Sequence, residues 1–302
     1  VKLLVTVVAF HSAAEIGPCV SSLLADPNVT VTVVDNSADL QTELACSAIA
    51  VRFPSRLTYL SPSSNLGFAR ACNLGLSRAS EFDFIGLVNP DVVLTSPITL
   101  LAESIDWTTT SIATARLISP THNTQPNWRP QFSLPREFAK AIIGTRAYAA
   151  TSHPDSSHPE LIRVPQIDGA FIVLRSYTWL ALRGLDERFE LYYEDVDLCR
   201  RANLAHGCAA ITRPWGTHQG GTSYKRSSGT AYIAHRVSRI RFIRKWYGRQ
   251  IGAWLIGLPI TFLEFITRTV SNVDTESPTQ RIAAIQAVLS ELRHPGSVHV
   301  LQ

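Results

Sequence analysis

A chain of 302 residues, 45% hydrophobic and 17% charged, can bury one large α/β core with an appendage, which excludes a disordered protein. Five scattered cysteines (19, 46, 72, 199, 208) without a CxxC pair argue against a disulfide scaffold or structural zinc and point to a reducing, cytoplasmic setting. The net charge of +4 is uneven: residues 198–263 hold eleven Lys and Arg and no acid, which implies an anionic partner such as a diphosphate or membrane surface. Nucleic acid ranks last, since no nucleic-acid module accompanies the block.

No signal-peptide pattern opens the sequence; residues 3–9 are an apolar, β-branched run expected to be a strand, with a helix over 15–24. A second strand over 29–34 is stopped by the turn formers Asp35-Asn36-Ser37. A short strand (57–60), a helix (68–79) and a buried strand (84–88) follow, the last ending at Asn89-Pro90-Asp91. This alternation predicts βαβ units and a mostly parallel sheet, whose ligands sit beyond the carboxyl ends of strands. Both polar clusters lie at such ends.

The proline-rich stretch 119–163 reads as a long loop acting as a lid. A strand (167–174) and a helix (176–182) come next. Over 232–247, Ile233, Val237, Ile240, Ile243 and Tyr247 share one helical face, with arginines around the rest. Residues 251–266 are apolar nearly all round but contain Pro259 and Glu264, and fall short of the roughly 20 residues of a spanning helix. A last helix starts at Ser277-Pro278 and stops before Pro295-Gly296.

Several clusters can carry chemistry. Asp91 stands where a strand-end carboxylate can hold Mg²⁺ or Mn²⁺ against phosphate oxygens; the competing reading is an Asx/Pro turn. Asp35-Asn36-Ser37 suits a nucleobase or ribose edge, or equally a turn or cap. In Asn65-Leu66-Gly67-Phe68-Ala69-Arg70-Ala71-Cys72-Asn73-Leu74-Gly75, glycine lets a phosphate approach amides at a helix start, and Arg70 and Asn73 lie one turn apart. Glu194, Asp195 and Asp197 follow two tyrosines. Three acids so close repel one another, so one of them gains a raised pKa suited to a general base, while Arg200 and Arg201 can neutralise the others. His218, expected in a glycine-rich loop over 215–223, can complete a metal site or touch a diphosphate.

In this combination and order the motifs VVDNS, NLGFARACNLG, LVNPDVVL, DGAFIVLR and GLDERFELYYEDVDLCRR, with the later His218, resemble glycosyltransferase family 2, particularly its bacterial rhamnosyltransferase-like members. The resemblance implies an α/β fold of GT-A type, with a mixed, mostly parallel sheet flanked by helices and with C-terminal helices. It implies a transferase domain over 1–247, with a nucleotide-binding half (1–118) and an acceptor half (119–247), and a helical appendage over 248–302. Phe10, Asp35, Asn65, Gly67, Arg70, Asn73 and Asn89 would face the nucleotide sugar. Asp91 and His218 would hold Mg²⁺ or Mn²⁺, Asn89 replacing the first acid of the family's DxD motif. Asp168, Gly169 and Glu194 would face the acceptor, with Asp195 as base of an inverting displacement. The implied partners are a nucleotide diphosphate sugar, dTDP-rhamnose by preference, and a glycan or lipid-linked glycan. The arginine-rich helix and 251–266 would contact the inner face of the membrane or, for 251–266, a second subunit. The rivals are a sugar-1-phosphate nucleotidyltransferase, for which Phe10-His11-Ser12-Ala13 is a poor match, and a binding module that has lost catalysis.

Overall fold

The computed structural model describes residues 1–119, 124–125, 127–143, 160–219, 228–271 and 277–301. Residues 120–123, 126 and 144–159 of the expected lid and 220–223 of the glycine-rich loop lie outside the described residues. The chain forms two compact units interleaved in sequence: Val1–Pro130, Asp155–Asp186 and Asp195–Thr222 make the first, and Gln131–Pro154, Glu187–Glu194 and Ser223–Gln302 the second.

Twelve strands occur among the described residues of the first unit. They are β1 (Leu3–Ala9), β2 (Val29–Asp35), β3 (Leu57–Leu60), β4 (Phe84–Val88), β5 (Val92–Leu94), β6 (Ile112–Ile118), β7 (Thr124–Gln125), β8 (Trp128–Arg129), β9 (Leu161–Val164), β10 (Gln166–Ile167), β11 (Phe171–Arg175) and β12 (Cys208–His218). The main sheet runs β3-β2-β1-β4-β11-β6-β12-β5, with β7 on β6 and β9 on β12. Strands β1 to β4 pair in parallel, as do β6 and β12, while β11 runs antiparallel to β4 and β6. Every residue of β1 and β4 is buried, as expected of strands covered on both faces.

The helices of this unit are α1 (Ala13–Leu24), α2 (Leu40–Arg52), α3 (Phe68–Gly75) and α4 (Ile98–Ser104). In the second unit lies α5 (Leu134–Ile143), and in the first α6 (Ser176–Ala181); α7 (Glu194–Ala202) begins on the last residue of the segment 187–194. Gly75 brings α3 against β1: a Cβ there would stand 1.8 Å from Thr6 Oγ1, so no larger residue permits this approach. The helix stops at Gly75, short of the expected 79, because a separate 3₁₀ turn occupies Ala79–Glu81.

The second unit also contains α8 (Ser228–Trp246), α9 (Arg249–Gly252), a π-helical turn (Ala253–Gly257), α10 (Leu258–Ser271) and α11 (Pro278–Arg293). Ser277 and Gln280 form the capping box that starts α11. Two expectations change here. The proline-rich stretch is not all loop, since α5 lies within it and buries Glu137 and Ala141, one helical turn apart. The arginines of α8 do not ring a solvent face: Arg236, Arg239 and Arg241 are buried. Arg236 Nη2 and Arg239 Nη2 reach Glu264 at 2.5 and 2.9 Å, and Arg241 Nη2 and Arg244 Nη1 reach Glu291 at 3.0 and 2.7 Å. Much of the basic block is thus matched by the chain's own acids.

With Thr261 and Glu264 turned inward, α10 leaves Phe262 and Ile266 exposed, as the preceding turns leave Ile251 and Leu255. Gln250–Thr267 is the one stretch among the described residues long and apolar enough to cross a membrane, and one third of it is buried.

Candidate active site

The site's residues converge at the carboxyl ends of β1, β2 and β4 and at the start of α7. Asp35, the last residue of β2, is fully buried. Its carboxylate accepts hydrogen bonds from Ser37 N (2.9 Å), Ser37 Oγ (2.6 Å), Asp39 N (3.0 Å) and Tyr59 OH (2.8 Å). Desolvation and the Asp35 charge push the Tyr59 phenol upward. Asn36 bridges to the next motif: its Nδ2 donates to Gly67 O at 3.1 Å and its Oδ1 accepts from Leu66 N at 3.2 Å. Asn65 Oδ1 accepts from Gly67 N at 2.9 Å, closing an Asx turn before α3. Half-buried Phe10 directly follows β1, and the adjoining His11 N donates to Ser37 Oγ at 2.9 Å. One loop cluster therefore gathers Phe10, Asp35, Asn65 and Gly67. Arg70 is exposed on α3, and the Asn73 side chain is bonded to the backbone of Leu185.

Asn89 and Asp91 follow β4, where the backbone turns so that Val92 N donates to Asn89 O at 3.1 Å. His218 is not in a loop but ends the eleven-residue strand β12, and antiparallel pairing sets it opposite Val92. This register brings His218 Nε2 to 3.3 Å from Asp91 Oδ1, across 127 positions of sequence. Among the described residues, no three His, Cys, Asp or Glu gather in a metal-binding cluster. A carboxylate oxygen and an imidazole nitrogen could nonetheless anchor a divalent cation whose other positions fall to phosphate oxygens and water.

The three acids before Cys199 have separate fates. Asp197 is fully buried and neutralised by Arg201, Nε to Oδ2 2.8 Å. Glu194 is buried in the other compact unit. Asp195 remains partly exposed in the first turn of α7. Its Oδ2 accepts from Gly169 N at 3.0 Å and its Oδ1 from Val196 N at 2.7 Å. Burial raises the Asp195 carboxyl above its ordinary value; Arg129 pulls against this, Asp168 adds to it, and the two amides favour the charged form. Arg129, which pairs with Asp168 through Nε, had no sequence signature. The antiparallel pairing of β8 with β10 brings it there.

A mixed, mostly parallel sheet flanked by helices, with polar clusters at its strand ends and helices at the C-terminus, is a GT-A-like fold. Comparison with known proteins agrees. The chain belongs to glycosyl transferase family 2, whose model matches residues 4–165. It is similar to N-acetylglucosaminyl-diphospho-decaprenol L-rhamnosyltransferase of Mycobacterium tuberculosis, 26% identical over an alignment of 255 residues that covers 77% of this chain and 79% of that protein. In fold it is similar to the mannosyltransferase PcManGT from Pyrobaculum calidifontis in complex with GDP-Man and Mn2+ (TM-score 0.53, 14% identity, 98% of this chain and 81% of that one). It is likewise similar to S. aureus TarS 1-349 in complex with UDP-GlcNAc (TM-score 0.55, 17% identity, 97% and 82%). The chain is a glycosyltransferase, transferring a sugar from a nucleotide to an acceptor.

Proposed function

We propose that this enzyme is an inverting rhamnosyltransferase that moves L-rhamnose from dTDP-rhamnose onto a hydroxyl of a lipid-linked or polysaccharide acceptor. The observation that carries the mechanism is the Asp195 carboxylate, held by Gly169 N, partly exposed and shifted toward weaker acidity. A base whose pKa lies closer to neutrality takes a hydroxyl proton more effectively. In a single displacement, Asp195 accepts the acceptor's proton, the acceptor oxygen bonds to the anomeric carbon, and the nucleotide diphosphate departs with the bonding pair. Configuration inverts. Asp91 and His218 would hold Mg²⁺ or Mn²⁺, which would neutralise charge on the leaving diphosphate.

The choice of sugar is supported by the name of the mycobacterial relative, as is a lipid-linked acceptor. With a lipid-linked acceptor the enzyme would work at the cytoplasmic face of the membrane, a surface that the outward apolar side chains of 251–266 would suit. Asp195→Asn tests the mechanism: transfer should fall by about 10²–10⁴ while nucleotide affinity, read by calorimetry, stays unchanged. Turnover close to that of the parent enzyme would exclude Asp195 as the base. Incubation with a panel of nucleotide sugars tests the donor, and transfer from a sugar other than rhamnose would replace that assignment.

A further inference from the structure

Asn73 lies on α3, six residues after Gly67, and its side chain clasps the backbone of Leu185, 112 positions further on. Nδ2 donates to Leu185 O and Oδ1 accepts from Leu185 N, both at 2.9 Å. The two bonds use the donor and acceptor ends of one amide on one residue's backbone, which fixes a peptide in place as a neighbouring strand would.

The peptide so held ends an unusual turn. Arg183 and Gly184 are both left-handed, at φ +60° and +65°, and a Cβ on Gly184 would stand 2.6 Å from Asn73 Oδ1. Leu182 O, just before them, accepts from Arg201 Nη1 at 2.5 Å, and Arg201 Nε donates to the buried Asp197 at 2.8 Å. Asp197 is two residues beyond Asp195 on α7, and Cys199 on the same helix accepts from Ile167 N at 3.3 Å. The Asp195 carboxylate itself is fixed by Gly169 N.

We infer that Asn73 is a positioning residue for Asp195: it braces the 182–185 turn, and the turn anchors α7 through Leu182 and Arg201. The inference rests on the reading of Asp195 as the base. It assigns Asn73 a task other than contact with the nucleotide. A small misplacement of a base relative to its hydroxyl is costly in rate while leaving the donor's binding contacts intact.

Asn73→Asp keeps the shape but removes the donor to Leu185 O and sets a charge against that carbonyl. Its kcat should fall at least about tenfold, with the calorimetric affinity for the nucleotide diphosphate within about twofold of the parent's. The acid limb of kcat/KM should move to lower pH, because a loosened α7 admits water to a carboxyl whose pKa burial had raised. Gly184→Ala strikes the same clasp from the opposite side and should reproduce the kcat loss, which covers the case in which the Asn73 variant does not fold. Weakened nucleotide binding with normal kcat at saturating donor would make Asn73 a ligand and overturn the inference. So would two variants with unaltered kinetics. Asp195→Asn in the same assay separates the two layers. Lost turnover there beside a normal Asn73→Asp enzyme overturns the clasp alone, whereas retained turnover there removes the base and the clasp's purpose with it.

Discussion

Replacing Glu264 with Gln should expose how far the arginines of α8 depend on the chain's own acids. Glu264 accepts from Arg236 at 2.5 Å and from Arg239 at 2.9 Å, and all three side chains are at most one-tenth exposed. Deleting one partner of a buried ion pair costs roughly 3–5 kcal/mol, because an uncompensated charge stays behind. Here two cations remain, but each keeps other contacts: Arg236 donates to Tyr232 O at 3.2 Å, and Arg239 to Thr261 Oγ1 at 3.1 Å with Glu137 3.8 Å away. The cost should therefore lie near the lower figure, about 3 kcal/mol. At about 2–4 °C per kcal/mol, the melting temperature should fall by about 6–12 °C. Differential scanning calorimetry at low and at 1 M salt reads this directly, and the drop should persist in salt because buried pairs are poorly screened. The triple replacement R236M/R239M/E264L, which removes all the charges together, should recover much of the loss. A shift under about 2 °C, or one abolished by salt, would mean that the pair is solvated and its arginines are available to an outside anion.

Asp91→Ala should abolish the gain in nucleotide affinity on adding Mg²⁺ or Mn²⁺, so equal affinity with and without metal in the parent enzyme would remove the metal site. Arg129→Ala should move the acid limb of kcat/KM upward: it removes a cation that lowers the Asp195 pKa and leaves Asp168, which raises it, without its partner ion. The base works ionised, so activity would then be lost at a higher pH as acid is added, and an unmoved or lowered limb would contradict this. Changing Ile251, Leu255 and Phe262 together to Ser should lower flotation with neutral phosphatidylcholine vesicles while leaving the melting temperature within about 2 °C, since these side chains are exposed. Undiminished flotation would move the membrane contact elsewhere.

Strands β1 and β4 were legible because buried parallel strands are continuous apolar runs, and 3–9 and 84–88 match them residue for residue; the partly buried edge strand β3 also matches 57–60. The middle of the sheet was not. β12 contains Arg213, Pro214 and Gly216 and carries register irregularities about Pro214, so its composition imitates a loop and gives His218 the look of a loop residue. The expected strand 167–174 splits into β10 and β11 around Asp168-Gly169-Ala170, the break that frees Gly169 N for Asp195. The candidate site divides in the same way. Motif order placed Asp35, Asp91, His218 and Asp195 as residues of interest, but the partners that condition two of them, Tyr59 and Arg129, arrive by strand pairing between distant segments. The basic block misled because counting charge along a chain cannot reveal that Glu137, Glu264 and Glu291 fold back onto it.

The interleaving of the two compact units also constrains how such an enzyme can be altered by exchange of parts. The second unit is drawn from three separate stretches, and Asp195 is the first residue after the chain leaves the middle one. A graft from a relative cannot be made with a single crossover; it must match all three stretches, and the middle one, 187–194, runs directly into the helix that bears Asp195. New acceptor preferences in this architecture are accordingly expected to arise by point substitution in place rather than by shuffling of cassettes. Chimaeras joined only near 222 would inherit mismatched tyrosines at 192 and 193, whose left-handed backbone tolerates little variation.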